Sequence, residues 1–413
     1  MRLDASLGKR LMLVGIVLFV ATFAVSAVLA PDRATVGADR GEQTLVGVHG
    51  GGPGLHEDGA VELVQNGSVV WRAGDTDSYF DVTRLDNGSV LAGFMDSGYD
   101  DCGPYDAPCT RTGFRVIDPN DGDPQIVGEY SFPVRTEKNS EVHDVERLPD
   151  GGYLFTDMEY ERIAIVEQGE IVWQWNASSI YDAPPDPTRT DWLHINDVDR
   201  IGEDRFLVSV RNANQLVIVE RGEGVVDVIN EDPDPSDGRV GDPDLMDHQH
   251  NPQWLGEGAV LVADSENNRI VELHEQEDGS WDVVWSVSSA GGYDFRWPRD
   301  ADRLPNGNTL ITDSAGQRVV EVNQSGEMVW SYVTPGLFPY EAERLPAGET
   351  VGAPTYDGDP MVEATGGVPL LTPAVNLLRN AMPLPYWIAE TQLLATLVSL
   401  GLVGVGAVLT RRD

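Results

Sequence analysis

Residues 143–157 read HDVERLPDGGYLFTD, and this phrase occurs with variations six times along the chain. The other copies begin at residues 80, 196, 250, 299 and 340 and read FDVTRLDNGSVLAG, NDVDRIGEDRFLVSV, HNPQWLGEGAVLVAD, RDADRLPNGNTLITD and a truncated YEAERLPAGETVGAP. The frame around a central Leu or Ile is constant, whereas the first residue of the phrase varies. A constant frame with a variable leading position predicts a ring of side chains around one axis.

The spacing of the copies predicts the fold. Their central apolar residues lie at positions 85, 148, 201, 255, 304 and 345, with intervals of 63, 53, 54, 49 and 41 residues. Such periods are typical of repeat architectures, and short alternating segments separated by turn residues indicate antiparallel strands. Four strands per period predict an all-β, six-bladed β-propeller. A β-solenoid is the alternative, but its period is shorter. Ring closure needs a strand from each end, and residues 44–48 are the N-terminal candidate.

Two uncharged segments, 11–30 and 391–410, are long enough to cross a bilayer core. Basic residues precede the first and follow the second, so the positive-inside rule predicts that 1–10 and 411–413 are cytoplasmic. The expected protein is therefore anchored in the cell membrane, with an extracellular propeller over 31–360 and an amphipathic linker over 361–390. A cleaved signal peptide is the alternative for the first segment.

The charge composition narrows the classes of partner. The chain has a formal net charge of −40, and its only lysines are Lys9 and Lys138. A phosphate backbone would be repelled, which excludes nucleic acid as a partner. An acidic surface with Arg in place of Lys is typical of proteins from salt-loving archaea, where the charge serves solvation in concentrated salt.

The cysteines and the sequons fit an exported domain. Cys102 and Cys109 are the only cysteines, and in an oxidising exterior they predict a disulfide that closes a short loop. A metal-binding pair is the weaker interpretation, because no further Cys or nearby His completes a site. Glycosylation sequons occur at Asn66, Asn87, Asn176 and Asn323.

The leading residues of the six phrases are the first functional candidates. They are Phe80, His143, Asn196, His250, Arg299 and Tyr340. Residues two places earlier on a strand face the same side, and these are Ser78, Glu141, His194, His248, Trp297 and Phe338. Four of the seven histidines fall in this double ring, whereas His49, His56 and His274 show no such placement.

One arginine departs from the repeat pattern. Ten residues after the central position, the first five copies have Met95, Met158, Arg211, Ser265 and Ser314. The recurrent pairs Asp157/Arg162, Asp264/Arg269 and Asp313/Arg318 are expected to be structural, since several blades share them. Arg211 occurs in one copy alone, which favours a functional role.

These residues resemble a known family. HDVERLPDGG, WLHIND followed by SVRNANQ, QHNPQWL and DADRLPNGNTLITD are similar to segments of the arylsulfate sulfotransferases, six-bladed propellers that move a sulfuryl group between phenols. The resemblance covers residues 141–346 and is of the haloarchaeal, membrane-anchored kind. It implies a nucleotide-independent transfer from an aryl sulfate to a phenol through a sulfohistidine, with no cofactor.

The resemblance also assigns roles. It implies that His250 is the nucleophile, that His194 and Asn196 form the His-x-Asn motif, and that Arg211 and His143 belong to the catalytic set. Sulfuryl transfer independently suits such residues, because imidazole is a competent nucleophile and a guanidinium fork binds sulfonate oxygens. The further substrate-binding candidates are His248, Arg299, Tyr340, Phe80, Trp297 and Phe338, of which the aromatic residues would hold an aryl ring.

Three alternatives remain open at the level of sequence. The channel histidines could be structural hydrogen-bonding groups that plug the pore, in a propeller that serves as a non-catalytic binding module. They could also converge on a metal in a metal-assisted hydrolase, although His248-x-His250 is the only tight ligand spacing. His248 could replace His250 as the nucleophile, but His250 occupies the repeat position.

Overall fold

The computed structural model describes residues 2–29, 42–51, 56–138, 140–231, 241–356, 370–371, 374–375, 377–378, 384–385 and 387–411. These residues form two compact units, Thr35–Ala364 on the one hand and Met1–Ala34 with Thr365–Asp413 on the other. The linker predicted over 361–390 lies mostly outside the described residues.

The larger unit is the predicted six-bladed propeller, and every blade is a four-stranded antiparallel sheet. Blade 1 contains β4 (Ser78–Arg84), β5 (Val90–Tyr99), β6 (Cys109–Asp118) and β7 (Gln125–Val134). Blade 2 contains β8 (Val145–Arg147), β9 (Tyr153–Asp157), β10 (Arg162–Glu167) and β11 (Glu170–Asn176). Blade 3 contains β12 (Ile195–Arg200), β13 (Arg205–Val210), β14 (Gln215–Glu220) and β15 (Gly224–Ile229).

The last three blades complete the ring. Blade 4 contains β16 (His250–Gly256), β17 (Ala259–Asp264), β18 (Arg269–Glu275) and β19 (Trp281–Val287). After the short pair β20 (Ser289–Ala290) and β21 (Tyr293–Asp294), blade 5 contains β22 (Pro298–Arg303), β23 (Thr309–Asp313), β24 (Arg318–Val322) and β25 (Met328–Val333). Blade 6 joins both ends of the unit, because β26 (Phe338–Leu345) pairs with β1 (Gln43–Gly50), which continues into β2 (Gly59–Gln65) and β3 (Ser68–Thr76).

The first five copies of the phrase each become an inner strand, a turn and the second strand of a blade, whereas the sixth supplies the inner strand β26 alone. The recurrent Asp–Arg pairs are structural, as expected, because each joins neighbouring strands of one blade. In blade 2, Arg162 Nε lies 2.7 Å from Asp157 Oδ2, and the two residues are also register partners. The packing between blades is apolar, for example where Ile163 and Ile165 of blade 2 share a buried cluster with Val208 of blade 3.

The second residue of the repeated phrase links neighbouring blades. The inner strand of each blade has no neighbouring strand on the side of the channel. The backbone N–H groups on that free edge therefore need acceptors from outside the sheet. A carboxylate from the preceding blade accepts them in four pairs, which are Val145 N–H to Asp81 at 3.3 Å, Val198 N–H to Asp144 at 2.8 Å, Ala342 N–H to Asp300 at 2.9 Å and Val82 N–H to Glu341 at 3.5 Å. These acidic positions therefore close the ring around the channel.

Blade 4 interrupts this pattern. The residue that corresponds to Val145 and Val198 is Pro252, which has no N–H. The carboxylate of the preceding blade is that of Asp197, and its Oδ2 is buried without a hydrogen-bond partner in the described part of the chain. One inter-blade acceptor is therefore left unpaired beside the strand that begins with His250.

The predicted disulfide is present in blade 1. Cys102 and Cys109 are joined, and they close the connection between β5 and β6. Tyr105, inside this loop, donates a hydrogen bond to Glu159 of blade 2. The loop is thus tied to the neighbouring blade.

The smaller unit consists of two long helices, α1 (Arg2–Leu29) and α2 (Glu390–Arg411). Ala5–Leu29 and Glu390–Arg411 are long and apolar enough to cross a membrane. α1 begins before the predicted residue 11, because Lys9 and Arg10 are good helix formers and continue the helix. The two helices are antiparallel and in close contact. A Cβ on Gly15 would lie 2.8 Å from Ser399 O, whereas Ser26, later in α1, accepts a hydrogen bond at 2.7 Å from Nε2 of Gln392, earlier in α2.

Candidate active site

A cavity of about 220 Å³ lies where the inner strands of the propeller converge. Seven of the residues singled out from the sequence line it, namely Glu141, His143, His194, Arg211, His250, Trp297 and Arg299. Four further residues complete the lining, namely His49, His56, Lys138 and Asp191. Imidazoles, guanidinium groups and two carboxylates therefore meet in one small space.

His250, the first residue of β16, is held in a defined orientation. Its Nδ1 lies 2.8 Å from Ser265 Oγ and 3.1 Å from the carbonyl oxygen of His248. Ser265 donates its own proton to Pro298 O at 2.6 Å, so its oxygen is left to accept from His250. Nδ1 therefore carries the proton and Nε2 keeps its lone pair. Among the described residues Nε2 has no hydrogen-bond partner, and the ring lines the cavity.

The electrostatic surroundings keep His250 neutral. Burial lowers the pKa of its imidazole well below the ordinary value, and the positive charges of Arg211 and Arg299 add to this effect. A neutral imidazole with a fixed Nδ1–H and an unshared electron pair on Nε2 is the form that acts as a nucleophile.

His143 is paired with a carboxylate. Its Nε2 lies 2.5 Å from Glu141 Oε2, and both side chains are buried. Burial alone would raise the pKa of Glu141, but His143 and the other nearby histidines outweigh it and bring that pKa well below its usual range. The ionised carboxylate accepts a hydrogen bond from this imidazole and orients it. His143 Nδ1 is buried without a hydrogen-bond partner in the described structure.

His194 is held by a second carboxylate. Its Nδ1 lies 2.9 Å from Asp191 Oδ2, and its ring centroid lies 5.0 Å from that of His143. Burial, and then the charge of Arg211, lowers the pKa of His194 to about 4. His194 has a φ of 55°, and its backbone N–H donates to Glu161 Oε1 at 2.8 Å. The preceding blade thus holds this residue in the left-handed backbone conformation, which is uncommon for a residue other than glycine.

Two arginines supply buried donors that have no acceptor. Nε and Nη1 of Arg299 and Nε of Arg211 are buried without a hydrogen-bond partner among the described residues. Arg299 stacks on Trp297, with its guanidinium carbon 4.2 Å from the ring centroid. Burial lowers the pKa of Arg299 to about 10, which leaves it charged at neutral pH. Buried charged donors without acceptors are costly, so this arrangement favours an anionic ligand in the cavity.

Aromatic rings pack beneath the histidines. Phe80 and Tyr340 are buried, and their ring centroids lie 5.1 and 5.6 Å from that of His143. Neither lines the cavity, so both support the imidazoles rather than face a ligand. Trp297 does line the cavity and supplies an apolar face.

Besides Phe80 and Tyr340, three predicted substrate-binding residues are not brought into the cavity lining. The side chain of His248 is 37% exposed and pairs with Asp247 at 2.6 Å. Phe338 is buried against Ala315 and Trp297. Asn196 Nδ2 donates to Gln249 O at 2.9 Å, so this side chain holds the backbone next to the predicted nucleophile.

The strand-alternation rule placed His194 and Trp297 correctly but failed at His248. All three residues leave the strand conformation, with φ values of 55°, 51° and 49° for His194, Trp297 and His248. The N–H of His248 donates to Asn214 Oδ1 of the preceding blade, and that of Trp297 donates to Asn268 Oδ1. The shared backbone conformation therefore does not separate His248 from the other two residues, and what differs is that its imidazole pairs with Asp247.

The expectation that His49 and His56 lie outside the ring was wrong. His49 belongs to β1, the second strand of blade 6, and its ring centroid lies 5.2 Å from that of Phe80. His56 follows β1 and has its Nδ1 2.9 Å from Ser78 Oγ. Neither residue belongs to a repeated phrase. The sequence offered one indication of this placement of His49, because the closing strand predicted at 44–48 ends immediately before this residue.

Two overlapping groups of side chains have a geometry that suits a metal. The donor atoms of His49, His56 and Glu141 lie within 4.8 Å of one another, and so do those of Glu141, His143 and His194. Burial, followed by the charge of Arg299, lowers the pKa of His49 well below the usual value, so this imidazole is neutral.

Comparisons with known proteins identify the fold. No protein-family model matches the sequence, and no curated protein matches it significantly. A crystal structure of a protein of unknown function from Bacteroides caccae is similar, with a TM-score of 0.51 and 15% identity over 74% of this chain and 99% of that chain. The periplasmic gluconolactonase of Pseudomonas aeruginosa has a TM-score of 0.45 and 14% identity over 73% of this chain and 98% of that chain. At such identities the similarity concerns the fold alone.

Proposed function

We propose that the protein transfers a sulfuryl group from an aryl sulfate to a phenolic acceptor, with His250 as the transient carrier. The observation that carries the proposal is the neutral, oriented imidazole of His250 beside Arg211 and Arg299, whose buried donors lack acceptors. A sulfate monoester supplies anionic oxygens to these donors and an electrophilic sulfur to the imidazole.

In the first step, Nε2 of His250 forms an N–S bond while the bond between sulfur and the aryl oxygen breaks. The phenolate takes the leaving electron pair, and His143 gives it a proton. Charge on the sulfonate oxygens would be stabilised by the two arginines, as in phosphoryl transfer. The Nδ1–H of His250 remains bonded to Ser265 Oγ and to His248 O, which stabilises the sulfurylated imidazolium.

In the second step, an acceptor phenol gives its proton to His143 while its oxygen attacks sulfur and the N–S bond breaks. His250 returns to its neutral form, which gives ping-pong kinetics. We assign proton transfer to His143 rather than to His194. Glu141 Oε2 lies 2.5 Å from His143 Nε2 and orients this ring, whereas burial and the charge of Arg211 lower the pKa of His194 to about 4.

A chromogenic aryl sulfate tests the proposal. Purified full-length protein is incubated in high salt with 4-nitrophenyl sulfate, with and without phenol. We expect phenol-dependent release of nitrophenol that is lost in His250→Ala and retained in His274→Ala, a histidine that bonds to Glu272 away from the cavity. When the aryl sulfate is supplied without phenol, a sulfuryl group should remain covalently bound to a peptide that contains His250. Absence of release with every acceptor would instead favour a non-catalytic binding module, and a label on His248 would refute the assignment.

We further propose that the two helices anchor the protein in the cell membrane, with the propeller outside and both termini inside. The support is the apolar character of Ala5–Leu29 and Glu390–Arg411, together with basic residues at the outer ends of the chain. Protease added to intact cells should digest the propeller, after the disulfide is reduced if necessary. Full protection from the protease would contradict this orientation.

A further inference from the structure

We propose that His49, His56 and Glu141 form a zinc-binding site in the wall of the cavity. The three residues come from blade 6 and from the segment that precedes blade 2, and their donor atoms lie within 4.8 Å of one another. This site is separate from the sulfuryl carrier His250, and its occupancy does not depend on whether the proposed transfer takes place.

The distance between His56 and Glu141 fits two ligands of one ion. His56 Nε2 lies 3.4 Å from Glu141 Oε1. Two donor atoms about 2.1 Å from a tetrahedral zinc ion are separated by about 3.4 Å. This separation is longer than an ordinary charge-assisted hydrogen bond, which is about 2.7–2.9 Å. The arrangement therefore leaves room for an ion between the two atoms.

A hydrogen bond behind His56 prepares it as a ligand. His56 Nδ1 lies 2.9 Å from Ser78 Oγ. When Nδ1 carries the proton and donates to Ser78, the lone pair of Nε2 faces Glu141. Without a cation between them, this lone pair and the carboxylate oxygen would repel each other. Metal-binding imidazoles are commonly oriented by such a partner on the other ring nitrogen.

The protonation states of the other two ligands also suit a metal. Burial makes the His49 imidazole neutral, and a metal needs its unprotonated nitrogen. Attraction from the neighbouring histidines keeps Glu141 ionised despite its burial. Two imidazole nitrogens and one carboxylate oxygen form a ligand set that zinc accepts in sites with an open fourth position. Because the residues line the cavity, that position would face the cavity and take water or an anionic oxygen.

A metal-binding measurement tests this inference without reference to activity. The full-length protein is treated with chelator, dialysed and titrated with Zn²⁺ by calorimetry, and bound zinc is counted by elemental analysis. Co²⁺ provides a second readout, because tetrahedral coordination gives a characteristic visible absorption. We expect one tightly bound ion per chain in the wild type and its loss in His56→Ala and in Glu141→Gln. Ser78→Ala should weaken binding about 10-fold.

Two controls make the result decisive. His274→Ala should keep one ion per chain, and thermal unfolding should show that each variant is folded. The overlapping group Glu141, His143 and His194 is the rival site. Zinc that persists in His56→Ala but disappears in His143→Ala would overturn this inference, as would a wild-type protein that binds no zinc. A protein that takes up no zinc in the titration but still transfers sulfuryl groups would overturn this inference and leave the proposed function intact.

Discussion

The side chain of Ser265 fixes the tautomer of His250, because its oxygen lies 2.8 Å from His250 Nδ1 while its proton is donated to Pro298 O. The two residues belong to the same blade, since Ser265 directly follows β17 and His250 begins β16. The second strand of the blade thereby determines which nitrogen of the first strand's histidine faces the cavity.

Replacement of Ser265 should therefore lower the rate of transfer more than substrate binding. In Ser265→Ala, His248 O is the one remaining acceptor among the described residues for the Nδ1–H of His250. The free energy of the Nδ1-protonated tautomer therefore rises by about 1–1.5 kcal/mol. We expect a fall in kcat of about 10-fold with little change in KM for the aryl sulfate. Ser265→Thr, which keeps the hydroxyl, should restore most of the rate. An unchanged kcat in Ser265→Ala would show that this hydrogen bond does not position the nucleophile.

The guanidinium group of Arg299 should contribute mainly to the transition state. Arg299→Gln removes the charge and most of the donors and leaves a shorter polar side chain. Loss of a single donor to a developing oxyanion typically reduces kcat by about 10²–10³-fold, and we expect an effect of this size. Arg269→Gln is the matched control, because Arg269 forms the structural pair with Asp264. The control variant is expected to lose stability and to keep its kcat when folded.

The inter-blade carboxylates should differ in their contribution to stability. Asp144→Ala leaves the Val198 N–H without its 2.8 Å acceptor, which should cost about 1–3 kcal/mol in the free energy of unfolding. Asp197→Ala removes a carboxylate whose Oδ2 has no partner beside Pro252, and we expect a much smaller cost. Denaturant unfolding of both variants gives the comparison. If both variants lose the same free energy of unfolding, the missing N–H of Pro252 does not affect the contribution of Asp197 to stability.

Buried carboxyl groups on and beside the inner strands should make the propeller less stable in alkali. Burial raises the pKa of Asp144 and of Asp300 to about 7 and that of Glu146 to about 8, from ordinary values of 3.8 for Asp and 4.5 for Glu. A raised folded-state pKa means that the folded chain binds more protons than the unfolded chain. The stability that depends on these protons is complete below about pH 4 and is lost as the pH rises through about 7–8. Each group contributes at most about 1.4 kcal/mol per pH unit.

Measurements between pH 7.5 and pH 9 isolate this effect. The pKa of His194 is lowered to about 4, so its opposite contribution to stability is already present above pH 7. We therefore expect the free energy of unfolding to fall from pH 7.5 to pH 9 at constant salt concentration. Burial also raises the pKa of Asp197 and of Asp199. The charge of Asp199 raises the pKa of Asp197 further, and the charges of Glu146 and Asp144 raise that of Asp199 further. The double variant Asp197→Asn, Asp199→Asn should show a shallower fall, and an equally steep fall would contradict this account.

The repeated phrase allowed most of the fold to be predicted. Turn residues at constant spacing define short strands, and six copies of one four-stranded unit have few ways to bury their apolar faces other than a closed ring. The N-terminal closing strand at 44–48 was also predictable, because the sixth copy lacks outer strands of its own. The prediction failed at His248, whose imidazole pairs with Asp247, although His194 and Trp297 have the same left-handed backbone and line the cavity.

The sequence by itself determined the blade number, the position of the disulfide and the leading residues of the inner strands, because all of these depend on local spacing. His143, His250 and Arg299 could be named from that spacing alone. Only the tertiary structure decided which side chains share the cavity, because His49, His56 and Glu141 meet through ring closure between distant parts of the chain. It also decided the chemical state of His250, since its tautomer depends on Ser265 and its neutrality on burial beside Arg211. Contacts between blades have no signature in the sequence of a single blade, and the character of this site depends on those contacts.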